Sequence, residues 1–341
     1  MGAQPMSRSV VTEVLPERLV EHRAVRAWSQ LQPDRVEPTR IEILKLKRTK
    51  SAVYRLHGIG PDGGAVIAKR CRVATAEVER MIYQECLPRV AAPVLRCYGF
   101  LKESEEDFCW LFLEDAVGEL YSPQFPQHRA LAGQWLGKIH LALARADLKA
   151  RLPDRGVGYH LGLLRRCRAT VREILGKNGA VSGEDAKRLR ALEAHCEVLE
   201  SRWSDMESIC GVLPPTLVHD DFVIKNVRIQ PGPSGPRLLV FDWEFAGWGS
   251  PGVDLAQFIY HVVSPDLSAY CSVLKSDYPH LDEPILQCVA GCGTLLRLVD
   301  SMYWATTWMG SGEYELLAKG VHALGMYETS LIEQLRAMKW S

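Results

Sequence analysis

The chain has 341 residues, and its 41 lysines and arginines are balanced by 41 aspartates and glutamates, which leaves no electrostatic footprint for a nucleic acid or an anionic membrane. Ten cysteines without a C-x-x-C pair or a histidine at zinc-ligand spacing point away from a zinc site and read as small apolar residues of a reducing cytosol. The length suggests two lobes with a ligand cleft; Met1 to Arg8 lack a signal-peptide core and the longest apolar stretch, Cys288 to Leu296, stops at Arg297, so a soluble, cytoplasmic chain is expected.

In chain order, Ile41 to Leu46 and Ala52 to Leu56 read as two strands around the polar segment Lys47-Arg48-Thr49-Lys50-Ser51. The turn Pro61-Asp62-Gly63-Gly64 leads into a short apolar strand, Ala65 to Lys69, that ends on a lysine. Thr75 to Leu87 is helical in pattern, with Val78, Ile82 and Cys86 on one face and Pro88 at its end. Tyr98 to Leu101 and Phe108 to Leu113 complete a first lobe made of a sheet and one helix, in a domain placed at residues 1–113. From residue 114 to 341 the texture is mainly helical: His128 to Leu148 places Leu131, Trp135, Ile139 and Leu143 at helical spacing, and Tyr159 to Cys210 continues in charged amphipathic helices. Strands return only at Thr216 to Val218 and Leu238 to Phe241.

Those short strands carry the chemistry. His219 to Asn226 reads H-x-D-x-x-x-x-N, and Asp242 follows at the end of the second strand. Phosphoryl transfer needs a carboxylate that orients the attacking hydroxyl and takes its proton, and oxygen ligands that hold magnesium against the phosphates. Asp221 suits the first task, Asn226 and Asp242 the second. The short loop from Asp221 to Asn226 brings both side chains to one place, and a hairpin would return Asp242 beside them.

These motifs resemble the aminoglycoside phosphotransferase and choline kinase family, over nearly the whole chain. His219 to Asn226 is similar to its catalytic loop, Asp242-Trp243-Glu244-Phe245-Ala246-Gly247 to its magnesium segment, and Pro251 to Ala256 to the segment that follows. The resemblance implies an α+β, two-lobed protein-kinase-like fold, with an N-terminal antiparallel sheet lobe and a larger, mainly helical C-terminal lobe. It also implies transfer of the terminal phosphate of ATP, or another nucleoside triphosphate, to a hydroxyl of a small molecule with Mg2+ as cofactor. No D-F-G triplet or A-P-E segment follows Asp242, which argues against a protein substrate. Lys69 would reach the phosphates with Glu79 as its partner, four positions before Tyr83 as in the family. Leu111 to Asp115 resembles the hinge, where backbone groups near Glu114 would hold the base. The glycine-free segment Lys47 to Ser51 stands in place of the phosphate-covering loop, with its basic side chains and Ser51 as the substitute for glycine amides. Asp220 replaces a common glycine and sets a second carboxylate beside Asp221.

Bland roles are assigned to the rest. His219 supports the loop rather than catalysing, Asp254 caps a helix in a capping box with Gln257, and Cys288 and Cys292 carry no chemistry. Asp300, Trp304 and Trp308, spaced by four in the C-terminal helices, form either a core stripe or the face of an acceptor pocket suited to an amine through cation–π contact. The rival to a kinase is a catalytically silent nucleotide-binding or scaffold protein of the same fold.

Overall fold

The computed structural model describes residues 12–14, 18–32, 37–47, 51–104, 107–177, 181–233, 235–311 and 313–340. Residues 48–50 of the expected phosphate-covering segment lie outside them. The chain forms two compact units. The first comprises Met1–Arg89, Pro93–Gly118 and Leu239–Glu244; the second comprises Val90–Ala92, Glu119–Leu238 and Phe245–Ser341.

The first unit is built on an antiparallel sheet of β1 (Thr12–Glu13), β2 (Arg40–Lys47), β3 (Ser51–His57), β4 (Val66–Arg72), β5 (Cys97–Lys102) and β6 (Phe108–Glu114), in the order β1-β2-β3-β4-β6-β5. Period-2 alternation sorts β4 between the two faces. Ala68, with its cross-strand partner Phe112, packs under helix α1 (Arg23–Leu31), whose Ala24, Val25, Ala27 and Trp28 are buried there. Cys71, with its partner Cys109, meets Ala76 of helix α2 (Val73–Met81) on the opposite side. Lys69 shares the parity of Cys71 and therefore points toward α2. The β2–β3 hairpin was expected to open the ordered part of the chain; instead β1 and α1 precede it, and the apolar residues of α1 at i, i+1, i+3 and i+4 give a buried stripe. The helix expected over 75–87 is α-helical only to Met81, then forms a π turn over Ile82–Cys86 and a 3-10 turn over Leu87–Arg89 that accommodates Pro88.

The second unit is mainly helical: α3 (Pro126–Leu143), α4 (Val157–Gly176), α5 (Gly183–Ser201), α6 (Trp203–Cys210), α7 (Leu267–Leu274), α8 (Glu283–Met309) and α9 (Tyr314–Ala337). Short strands punctuate it: β7 (Glu119–Leu120), β8 (Asp154–Arg155), β9 (Thr216–Val218), β10 (Val227–Gln230), β11 (Arg237–Val240, which runs on into the first unit's 239–244 segment) and β12 (Gly247–Gly249). Helix α8 forms the spine. Leu295, Leu296, Leu298, Val299 and Met302 are fully buried in a core shared with α4, α5, α6 and α9, each such side chain contributing about 1.5–3 kcal/mol. At Gly293 a Cβ would overlap the Gly252 carbonyl, so only glycine lets α8 approach the 3-10 turn Pro251–Leu255 so closely.

The longest apolar stretch stops at Arg297, but the helix that carries it does not. The helix continues to Met309 because Arg297 finds a partner one turn on, its Nη1 lying 3.3 Å from Asp300 Oδ2. By length and composition α8 could cross a membrane, but 67% of its most apolar window is buried against the rest of the unit, as in a core helix.

Candidate active site

Each unit assembles one group of functional side chains. In the first, Lys69 Nζ lies 2.5 Å from Glu79 Oε1 on α2, also donates to Asp242 Oδ1, and stands 3.7 Å from Glu244 Oε2. Lys45 approaches the same Glu244 at 3.9 Å. Burial opposes a charge on Lys69, yet Glu79, Asp242 and Glu244 around it hold its pKa well above the ordinary lysine value. Burial also pushes the Glu79 carboxyl up to about 7, against the pull of Lys69. Asp242 sits in the left-handed region at φ 66°, a conformation aspartate tolerates better than most side chains. Carboxylate oxygens of Glu79, Asp242 and Glu244 lie within 4.8 Å of one another, and among the described residues Glu79 Oε2 is buried without a hydrogen-bond partner. Such a hard-oxygen set suits magnesium.

Glu114 ends β6, and its own N–H is already given to the Arg96 carbonyl, while its side chain accepts from Arg96 N. Ser51 begins β3, buried, opposite Lys47. The structure thus brings Lys69, Glu79 and Asp242 together and leaves Ser51 and Glu114 outside that cluster.

In the second unit, the loop after β9 carries His219, Asp220 and Asp221, and a 3-10 turn, Ile224–Asn226, leads into β10. The turn swings Asn226 back, so that its Nδ2 donates to Asp221 O and to Asp221 Oδ2, both at 3.0 Å. That orientation leaves Oδ1 as the atom Asn226 offers a cation. Asp221 is further held by Arg297 Nη2 at 3.3 Å and Lys225 Nζ at 3.3 Å. Lys225 is largely exposed and contributes little; the Arg297 side chain, 14% exposed, holds the carboxylate in place. His219 supports the loop as expected: Asp221 N donates to its Nδ1 at 3.3 Å.

Asp254 corrects the sequence reading. Ser250, not Asp254, caps the 3-10 turn, with its hydroxyl accepting from Gly252 N. Asp254 is buried and accepts from His219 N at 2.7 Å and Asp220 N at 3.0 Å, with His140 Nε2 at 3.4 Å behind it. A carboxylate with two oxygens can clamp two successive amides, which makes it the anchor of the loop from His219 to Asn226. Burial works against its ionisation, but His140 and the loop amides keep its pKa below the ordinary 3.8. Asp254→Ala is therefore expected to cost about 2–6 kcal/mol, one unsatisfied-group penalty for each orphaned amide, checked by urea denaturation. The sign follows from the lowered pKa: this stabilisation is present above 3.8 and is lost as the pH falls through the folded-state value. A variant as stable as wild type at neutral pH would refute the anchoring role.

Asp220 turns away from Asp221 into a buried ionic cluster. At φ 58° it occupies the left-handed region, which explains why glycine is at home in this position and why aspartate is an acceptable replacement. Its carboxylate lies 3.2 Å from Arg155 Nε, 3.7 Å from Arg297 Nη1 and 3.8 Å from His160 Nε2. Arg297 also donates to the Asp220 carbonyl, tying α8 to the loop backbone. Burial, with Asp300 close by, raises the Asp220 carboxyl to about 6. Burial disfavours a charged His160, but Asp300 and Asp220 outweigh it and bring the imidazole up to about 10. His160, Asp220 and Asp300 have the composition of a metal triad, yet the cluster already holds an imidazolium and two guanidiniums, so it balances its charge without an ion.

The comparisons with known proteins fit this geometry. A profile of the phosphotransferase enzyme family matches residues 51–282. The chain belongs to that family. A search of curated protein sequences finds no match. Among solved structures, aminoglycoside 2'-phosphotransferase-IIIa in its GDP complex is similar at a TM-score of 0.63 and 10% identity, covering 89% of this chain and 97% of that one. Ethanolamine kinase of Plasmodium vivax superposes at 0.55 and 14% identity, covering 84% and 82%. Choline kinase of Cryptosporidium parvum Iowa II does so at 0.54 and 12%, covering 88% and 91%. At such identities the likeness establishes the fold: kinase-like, with an antiparallel N-terminal sheet and a larger helical C-terminal part.

In this phosphotransferase the α8 stripe, read as either core or the face of an acceptor pocket, divides. Asp300 is buried and committed to His160 at 3.4 Å and Arg297 at 3.3 Å. Trp308 packs on the helical core with Lys319 Nζ 4.6 Å from its ring centre. Trp304 alone stays half-exposed, with Phe245 edge-on at 5.9 Å. Sequence reasoning placed Glu244 in the magnesium segment without giving it a role, and missed Arg297, Arg155 and His160. The signal for Arg297 was present, since an arginine that interrupts an apolar run must find a buried partner. Nothing local announced the others.

Proposed function

We propose that this phosphotransferase moves the terminal phosphate of ATP, or another nucleoside triphosphate, onto a hydroxyl of a small, amine-bearing molecule. The observation that carries the reading is the Asp221 carboxylate, fixed by Asn226, Arg297 and Lys225 on a loop that Asp254 anchors. A carboxylate so held can orient an alcohol and accept its proton as the phosphoryl group leaves the nucleotide. Lys69, with Glu79 keeping it in place, is assigned to the phosphates. Asn226 and Asp242 are assigned to magnesium, which when bound would offset the negative charge that gathers on the transferring group. Ser51 is assigned to the phosphates and the backbone near Glu114 to the base. The GDP held by the aminoglycoside phosphotransferase relative supports a nucleotide donor. The aminoglycoside, choline and ethanolamine named for the relatives support a small amine-bearing acceptor. So does the exposed Trp304 beside Phe245, a face to which a protonated or quaternary amine can bind. Asp300 and Trp308 contribute to that pocket only by positioning α8.

The test is a panel of hydroxylated acceptors, with and without amines, incubated with ATP or GTP and magnesium and read by the product's gain of one phosphoryl group. Magnesium-dependent phosphorylation of amine-bearing members is expected. Preference for a carbohydrate without an amine would remove the acceptor class. Nucleotide binding with no acceptor phosphorylated at all would favour the silent scaffold.

A further inference from the structure

Asp221 meets Arg297 through one nitrogen only. Nη2 lies 3.3 Å from Asp221 Oδ1, while Asp221 Oδ2 accepts from Asn226 Nδ2 at 3.0 Å. A free guanidinium favours two parallel hydrogen bonds to a carboxylate, which here would engage both Asp221 oxygens and weaken their hold on a proton. Arg297 is kept from that geometry because its other nitrogen, Nη1, is committed: it donates to the Asp220 carbonyl and lies 3.3 Å from Asp300 Oδ2.

Asp300 is held in turn from α4. His160 Nε2 stands 3.4 Å from Asp300 Oδ2 and 3.8 Å from Asp220 Oδ1. The ring is fixed from behind, since its Nδ1 donates to the Gly156 carbonyl at 2.9 Å. With a proton on Nδ1, Nε2 carries one only when the ring is charged, and the two carboxylates beside it keep it charged. Arg155 Nε, 3.2 Å from Asp220 Oδ2, answers the remaining carboxylate. His160, Arg155 and Arg297 thus face Asp220, Asp221 and Asp300. His160 is fully buried and Asp220 and Asp300 nearly so, which leaves little water to screen these contacts.

We propose that His160 and Asp300 are positioning residues for phosphoryl transfer. In the series His160–Asp300–Arg297–Asp221 each charge fixes the next, and the series holds Arg297 end-on, so that Asp221 is oriented yet keeps the capacity to receive a proton. This inference rests on the role proposed above for Asp221.

The experiment measures ADP released from ATP and magnesium in the presence of ethanolamine, which counts transfer to the amino alcohol and to water alike, below the melting temperature of every variant compared. Asp300→Asn keeps the size of the side chain and removes its charge. Its kcat is expected to fall about 10-fold, the effect of one charge-assisted hydrogen bond, with the nucleotide's KM little changed. His160→Gln, one contact further back, should act in the same direction, and decides the matter if Asp300→Asn does not fold. Combination with Asp221→Asn separates positioning from structure. If Asp300 and His160 act through Asp221, their substitution should lower kcat no further once residue 221 is asparagine. The same fractional loss in both backgrounds would mean a purely structural role and overturn the proposal. So would wild-type kcat in Asp300→Asn and His160→Gln beside an impaired Asp221→Asn. Wild-type turnover by Asp221→Asn, or no ADP release by wild type, would instead refute the role of Asp221 and take this inference with it.

Discussion

Replacing Asp221 by asparagine is expected to lower phosphoryl transfer by about 10²–10⁴-fold, the range that a positioned acid or base supplies, while nucleotide affinity stays close to wild type. The substitution keeps the shape of the side chain. Asn226 can still donate to one oxygen at this position, and the contact with the Asp221 carbonyl is untouched. What disappears is the charge that Arg297 and Lys225 face and the atom that would receive the acceptor's proton. The fall should therefore be seen in kcat with little change in the nucleotide's KM, and single-turnover kinetics would place it on the chemical step. Wild-type turnover by the asparagine variant would refute the role given to Asp221.

Lys69→Met is expected to be nearly as damaging to activity and far more so to stability. Methionine fills a similar volume but leaves Glu79 and Asp242 without their cation, and removing one partner of a buried ion pair costs about 3–5 kcal/mol. The pH dependence gives a sharper test. Glu79 is already raised to about 7 by burial, and without Lys69 it rises further. Its folded-state proton is then bound more tightly than in the unfolded chain, whose value is the ordinary 4.5. Stability of the variant should accordingly fall as the pH climbs from 4.5 toward and beyond 7. In wild type, Lys69 is raised above 10.5, so its contribution persists to that pH and is lost only above it. Urea denaturation at pH 5 and pH 8 should show the gap between the two proteins widening at the higher pH. An equal gap at both would mean that Glu79 is not held against its charge in the way the geometry implies.

The strands were legible because their pattern is local. Val66 to Arg72 alternates between two buried faces, and that alternation alone sends Lys69 to one side and Arg70 to the other. The Asp221–Asn226 pair was legible for the same reason, since five residues of loop bring the two side chains into contact. Reading Asp254 as a helix cap was an error of range. Its spacing to Gln257 imitates a capping box, but its hydrogen-bond partners lie 34 and 35 residues away. Capping is a local competition for backbone amides, and here a distant loop won it. Asp300 was left open between a core stripe and an acceptor face, because only the tertiary structure could show that Arg297 and His160 hold its carboxylate.

The sequence by itself determined the family, the α+β class and the residue types of the chemistry: a strand lysine, a loop aspartate and asparagine, and an aspartate after a short strand. The tertiary structure decided how the charges are balanced. Arg297 reaches Asp221 and the Asp220 carbonyl across 76 and 77 positions, and Arg155 and His160 come from β8 and α4 to meet Asp220. Buried charge is tolerated only where an opposite charge or a hydrogen bond meets it, and nothing in local periodicity specifies which distant element will supply that partner.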